Sequence, residues 1–208
     1  MDFGVFLRAM DQNSPIDLYD LSRSLQSGTL ARKNLLVQIF SYVRELDPVY
    51  LAARSKETTT HFVWVLEEQA GTGMKLCLHQ FKHPQAMGAG HANTIHNHRY
   101  DFLTLVLGGG YTEETYEFGN AVASGEYIRH IPEPAICDVR AGDSKVVDYR
   151  AFHRIPLISP ETVTLVVKAP PKADHSMSIS TETRVAQIHH SVRGRVQNLV
   201  GALARLAA

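Results

Sequence analysis

GHANTIHNHRYDFLTLVLGGG, residues 90–110, is the stretch on which the reading of this chain turns. It holds His96 and His98 one residue apart, then a β-type run over residues 102–107, then the turn Gly108-Gly109-Gly110. Strand side chains alternate between faces, so a His-x-His pair sends both imidazoles to the same side. Two imidazoles on one rigid face are most of a site for iron, nickel, copper or zinc. An isolated pair is more often a clustered surface feature, so the choice rests on a third ligand. His153, from a distant turn, supplies it.

On either side of this stretch the pattern is that of short strands. Residues 62–66 (FVWVL) form a β-type run, a Gly71/Gly73 turn follows, and residues 75–81 (KLCLHQF) alternate with period two. After the glycine triplet, residues 111–118 alternate aromatic or Thr with Glu. Further strands are expected at 126–131, 136–139, 144–149 and 162–168, each bounded by Gly or Pro. Many short strands with regular turn signals imply an antiparallel sandwich or barrel.

Helical spacing occupies the two ends. Ser14-Pro15 reads as an N-cap with proline at the first helical position, opening a helix that ends near Gly28. Leu35, Leu36, Ile39, Phe40 and Val43 read as the apolar stripe of a second helix, interrupted by Asp47-Pro48, after which residues 49–53 add a turn. Val185, Ile188, Val192, Val196, Leu199, Leu203 and Leu206 recur every three or four residues, the spacing of one amphipathic helix. The expected organisation is an N-terminal helical region over 1–58, a barrel over 59–175 and a C-terminal helix over 176–208.

Lys+Arg and Asp+Glu are equal at 21 each in 208 residues, which gives no electrostatic ground for a nucleic-acid or anionic-membrane partner. Cys77 and Cys137 lack CxxC spacing and read as small buried hydrophobes of a reducing compartment. The start, MDFGVFLRAM, lacks a basic region followed by a long apolar segment, and no run reaches membrane-spanning length, so a cytoplasmic location is expected. The amphipathic tail and an open sheet edge suggest a homodimer.

Two motifs carry a resemblance. Gly90 is followed after five residues by His96-Asn97-His98, with Gly109 in the closing turn; Gly142 and His153 repeat the spacing of a second motif, with Asp148, Arg150 and Leu157 at its Pro, Gly and Asn positions. In these the chain resembles the cupin superfamily. The resemblance implies an all-β core, a double-stranded β-helix (jelly-roll barrel) with N-terminal helices, and a metal held by His96, His98 and His153. Within the cupins the layout is similar to the cysteine dioxygenase-like thiol dioxygenases, over roughly residues 35–175: IHNH (95–98), TEETYEF (112–118), FHRI (152–155) and TLVVKAPP (164–171). That group's cross-linked cysteine and tyrosine would fall at Phe102 and Lys168, its Ser-His-Tyr relay at Thr164, Val166 and Lys168, and its carboxylate-binding arginine near Thr60. These replacements point away from cysteine, toward another small metal-chelating substrate.

The motif's fourth ligand position leaves two alternatives. Counting back from Gly109 gives Phe102, which cannot ligate, and hence a three-histidine site. Counting from Gly108 gives Asp101, which could supply a carboxylate. Around the trio, Arg99 is a candidate partner for a substrate carboxylate, or a structural partner of Asp101 or Glu113; Tyr111 is a candidate proton donor or a barrel-wall aromatic. His79 enters the barrel or sits as a satisfied interior histidine. Three neutral imidazoles leave an ion its full charge and about three open positions, which suits a chelating substrate plus O₂ on Fe(II). Ni, Cu, Mn and Zn are the other ions considered. The expected function is a non-haem Fe(II) oxygenase; the alternative is a redox-silent metal-dependent isomerase, lyase or decarboxylase.

Overall fold

Alternation of apolar and polar side chains resolves into two facing six-stranded antiparallel sheets. The computed structural model describes residues 3–11, 17–27, 32–69, 71–87, 94–119 and 122–191. In chain order the strands are β1 Lys56–Glu57, β2 His61–Glu68, β3 Lys75–Phe81, β4 Thr94–His96, β5 Phe102–Gly108 and β6 Gly110–Tyr116. They continue with β7 Ala135–Arg140, β8 Ser144–Val147, β9 Phe152–Ile158, β10 Val163–Lys168, β11 His175–Ser180 and β12 Ala186–His190. One sheet has the order β1-β2-β3-β10-β5-β8, the other β12-β11-β4-β9-β6-β7. From β3 to β11 the chain crosses between the sheets at every connection except β6–β7, the interleaving of a double-stranded β-helix.

Four helices precede the strands: α1 Phe3–Asp11, α2 Leu18–Ser27, α3 Arg32–Glu45 and α4 Pro48–Arg54. They back the first sheet. Leu76, Leu103, Leu105, Leu107, Leu165 and Val167 project from its outer face into one cluster with Phe3, Phe6, Met10, Leu18, Leu21, Leu25, Leu35 and Ile39 of the helices. The intervening residues of the same strands point the other way, into the barrel, so β5 and β10 are buried on both faces and read as nearly unbroken apolar runs. At α4, proline in the first turn and the Asp47 carboxylate accepting from the Val49 N–H at 2.8 Å fix the helix start.

The β5–β6 connection, which passes from one sheet to the other, turns at Gly109, whose φ of +66° favours glycine. A Cβ there would lie 2.4 Å from the Thr162 hydroxyl. That hydroxyl accepts from the Gly110 N–H at 3.0 Å and is itself fully buried, so the turn is locked to the β9–β10 connection.

Several expectations change. The segment from Val185 does not begin a helix: β11 and β12 pair as a hairpin, with His175 opposite His190, and add to the second sheet beside β4. Cross-strand pairing outweighs the three-to-four-residue spacing there, and residues 192–208 lie outside the described residues. His153 is not in a turn but in β9, paired directly with His96 of β4. No strand forms at 126–131, where only Tyr127 bridges Val185. α1 was not foreseen; Phe3, Phe6 and Met10, at steps of three and four, bury its inner face. On α3 the buried stripe is Leu35 and Ile39, while Leu36 and Phe40 face outward. Cys77 is buried, but Cys137 is exposed on β7. Ser14-Pro15, Gly28, Gly88 and Gly90 lie outside the described residues. Among the described residues no helix is long and apolar enough to cross a membrane.

Candidate metal centre

The second sheet builds the site by register. β4 ends on His96, the chain leaves the strand, and His98 follows within the same cavity; β9 brings His153 alongside His96. The ring centroids lie 5.0 Å (His96–His98), 4.8 Å (His96–His153) and 5.1 Å (His98–His153) apart. One nitrogen from each ring falls within 4.8 Å of the others.

The Nε2 atoms of His98 and His153 are 2.9 Å apart. Two nitrogens at about 2.1 Å from a shared ion subtend that separation at about 90°, against roughly 3.4 Å for a tetrahedral pair. The same 2.9 Å is also that of an N–H···N hydrogen bond between the two rings, and the nitrogens of the whole trio lie within 4.8 Å of one another. An all-nitrogen donor set of this kind fits a borderline divalent ion such as iron, nickel, copper or zinc.

His153 is held from behind. Its Nδ1 lies 2.6 Å from the Glu113 Oε1, and the other carboxylate oxygen of Glu113 accepts from Lys145. Glu113 stands on β6 and Lys145 on β8, so this contact ties the two sheets together. Burial alone would raise the Glu113 carboxyl; the hydrogen bond and charge of His153, with those of Lys145, outweigh it and hold the carboxyl below its usual value. With Nδ1–H donated to this carboxylate, the Nε2 lone pair of His153 is free to face an ion. Burial, then the neighbouring His153, pushes His96 down to about 4; burial, then His153 and His96, takes His98 well below its ordinary value. All-neutral imidazole is the form that ligation requires.

The trio opens into a cavity of about 310 Å³ between the sheets. Phe102 faces it, with its ring edge-on to His98 at 4.8 Å. Asp101 does not: its carboxylate accepts from the Tyr149 N–H at 2.8 Å and from Lys172, and it contributes nothing to the histidine group. The alternation that points Phe102 inward turns Asp101 away. Arg99 is not a cavity residue either; its carbonyl accepts from the Lys172 and Ala173 N–H groups. Neither is among the residues that line the cavity. Tyr111 does line the cavity. Burial, reinforced by Glu113, raises its phenol far above the ordinary value, so it remains protonated.

Glu113 was missed as a bracing residue. The signal was present in the alternation of residues 111–116, which sends Glu113 to the face of Tyr111, but an inward carboxylate is uncommon without a partner. The opposite wall was missed as well: Lys56, Thr60, His61, His79, Thr164 and Lys168 all line the cavity. His79 is not the satisfied interior histidine expected by default, since its Nε2 is buried with no hydrogen-bond partner. His189 and His190 stay outside the cavity, the former bonded to the Ser178 hydroxyl at 2.6 Å.

No protein-family model matches the chain, and no curated protein matches it. Solved structures resemble it distantly. A candidate mannose-6-phosphate isomerase from Ralstonia eutropha JMP134 shares 18% identity over 58% of this chain and 94% of its own, at a TM-score of 0.34. An oxalate decarboxylase from Lactobacillus farciminis shares 17% over 61% of this chain, at a TM-score of 0.39, and the match spans only 33% of the decarboxylase. A hydroquinone 1,2-dioxygenase complexed with Cd2+ and 4-hydroxybenzonitrile shares 10% over 62% of this chain and 74% of its own, at a TM-score of 0.38. Likeness at this level carries no argument about chemistry.

Proposed function

We propose that the protein is a metal-dependent cupin enzyme, a non-haem Fe(II) oxygenase that acts on a small chelating substrate. His96, His98 and His153 would hold the ion, and Glu113 would fix the tautomer of His153. The observation that carries this reading is the convergence of three imidazoles at one end of the cavity between the sheets, one of them braced by a carboxylate. A bound Fe(II) supplies Lewis acidity and one-electron chemistry with O₂.

What the chain itself contributes is position and environment. Three neutral ligands add no charge, so the ion's attraction for an anionic chelator is undiminished. Phe102, Val147, Ile155 and Val166 line the cavity and limit the water that can enter beside the substrate. The protonated Tyr111 phenol can donate a hydrogen bond to a bound oxygen atom, but cannot serve as a base. The volume, about 310 Å³, lies at the small end of ligand pockets and favours a compact molecule.

The experiment is anaerobic reconstitution with Fe(II), followed by oxygen uptake on panels of thiols, diketones and small chelating acids. Uptake that needs both the metal and one substrate class is the expected result. Turnover that persists without O₂, or equally with Zn(II), would instead identify an isomerase, lyase or decarboxylase.

A further inference from the structure

The wall opposite the trio is chemically distinct from it. Across the first sheet, Lys56 pairs with Val63, Val63 with His79, and His79 with Thr164, which sets one row over β1, β2, β3 and β10. Lys168 shares the inward face of β10 with Thr164 and Val166. His61 stacks on His79 at a centroid distance of 4.5 Å.

Two features of this wall call for a ligand. Lys75, Lys82, Lys145 and Lys172 each have a carboxylate within 4.0 Å, whereas among the described residues Lys56 and Lys168 have none. The Lys168 ammonium instead lies 5.7 Å from the centre of the Tyr100 ring. Second, the Nε2 of His79 is shut off from solvent and has no hydrogen-bond partner among the described residues, an uncommon state for a buried polar atom. Burial and the positive charge of Lys168 keep His79 neutral, and the same two causes lower Lys56, so an anion arriving here would relieve repulsion between groups that face one another.

We propose that the first-sheet wall is an anion station, where Lys168, Lys56 and the imidazole of His79 receive a carboxylate-type group of the substrate whose other end meets the histidine trio. The chelating half of this assignment rests on the metal-centre reading; the anion station does not. Such a substrate carries two separated polar ends, one ligating and one anionic. Lys168 and Lys56, which line the cavity, then take the part expected of Arg99.

The test is calorimetric titration of the full chain with benzoate and with its neutral isostere benzamide, both chelator-treated and with Zn(II) added. Benzoate is expected to bind at least about tenfold more tightly than benzamide, the size of one charge-assisted contact. Lys168→Met should weaken benzoate by about tenfold, Lys168→Arg should restore it, and His79→Phe should weaken it several-fold. Equal affinity for the two probes, no saturable benzoate binding in either state, or unchanged affinity in a Lys56→Met/Lys168→Met double variant would overturn the proposal. Co(II) uptake by the wild type and by His153→Ala reports separately on the trio. Co(II) uptake that is the same in the wild type and in His153→Ala, with benzoate binding intact, would refute the metal reading and leave the anion station standing.

Discussion

Two groups of imidazoles look into one cavity from opposite walls, and burial lowers His96 and His98 on one side and His61 and His79 on the other. His96, His98 and His153 converge; His61 and His79 stack. Desolvation lowers His96 and His61 alike, each to about 4, so titration behaviour does not tell a ligand set from a lining pair. What separates them is direction and support. The trio comes from two paired strands and the loop leaving one of them, with nitrogens aimed at a common point and Glu113 behind. The pair stacks, His61 Nδ1 lies 2.7 Å from the Thr60 hydroxyl, and no carboxylate is bonded to either ring among the described residues. Convergence, not histidine content, is what makes a candidate metal centre.

The largest expected effect tests that contrast head-on. His153→Ala should weaken Co(II) or Fe(II) binding by about 100-fold or more, since it removes one of three ligands and leaves Glu113 buried beside a void. Metal titration followed by elemental analysis would read it. Glu113→Gln should cost about 10- to 100-fold in metal affinity, because it keeps the shape but loses the charge that orients His153; an unchanged affinity would mean that the brace is only structural.

Acidification should affect both groups together. The unfolded chain takes up protons on His61 and His96 near the ordinary value of 6.5, but the folded metal-free protein resists until about 4. Folded pKa values that lie below the unfolded ones mean stability is present above pH 6.5 and is lost as pH falls toward 4. Between pH 7 and pH 5 each of these rings should cost about 1–2 kcal/mol, measurable by denaturant unfolding of the chelator-treated protein. The smallest effect is expected from His61→Phe, which preserves stacking and should leave metal affinity within about twofold. A large loss there would erase the distinction between the two groups.

Much of this was legible in the chain. Period-two alternation located β3, β5, β6 and β10, and the separation of Gly142 and His153, that of the second motif, was enough to join His153 to His96 and His98. Local pattern failed where pairing partners decide. Residues 186–190 carry helical spacing yet become a strand, because β11 offers a full complement of backbone partners. Asp101 and Arg99 neighbour the motif in sequence but are not among the residues lining the cavity, whereas Lys56 and His61 line it from far off in the chain. Glu113 could be placed on the inner face, but its link to Lys145 crosses between sheets and left no trace in spacing.

The helices behind the first sheet have a consequence for how the pocket can change. Leu165 and Val167 are gripped by α1–α3 on one side while Thr164, Val166 and Lys168 form the chamber on the other, so this partition cannot retreat to make room. A bulkier guest would require trimming residues on the chamber side itself. The mould is rigid, and new specificities for this scaffold should arise by swapping the few side chains that line it, with the surrounding architecture left as it is.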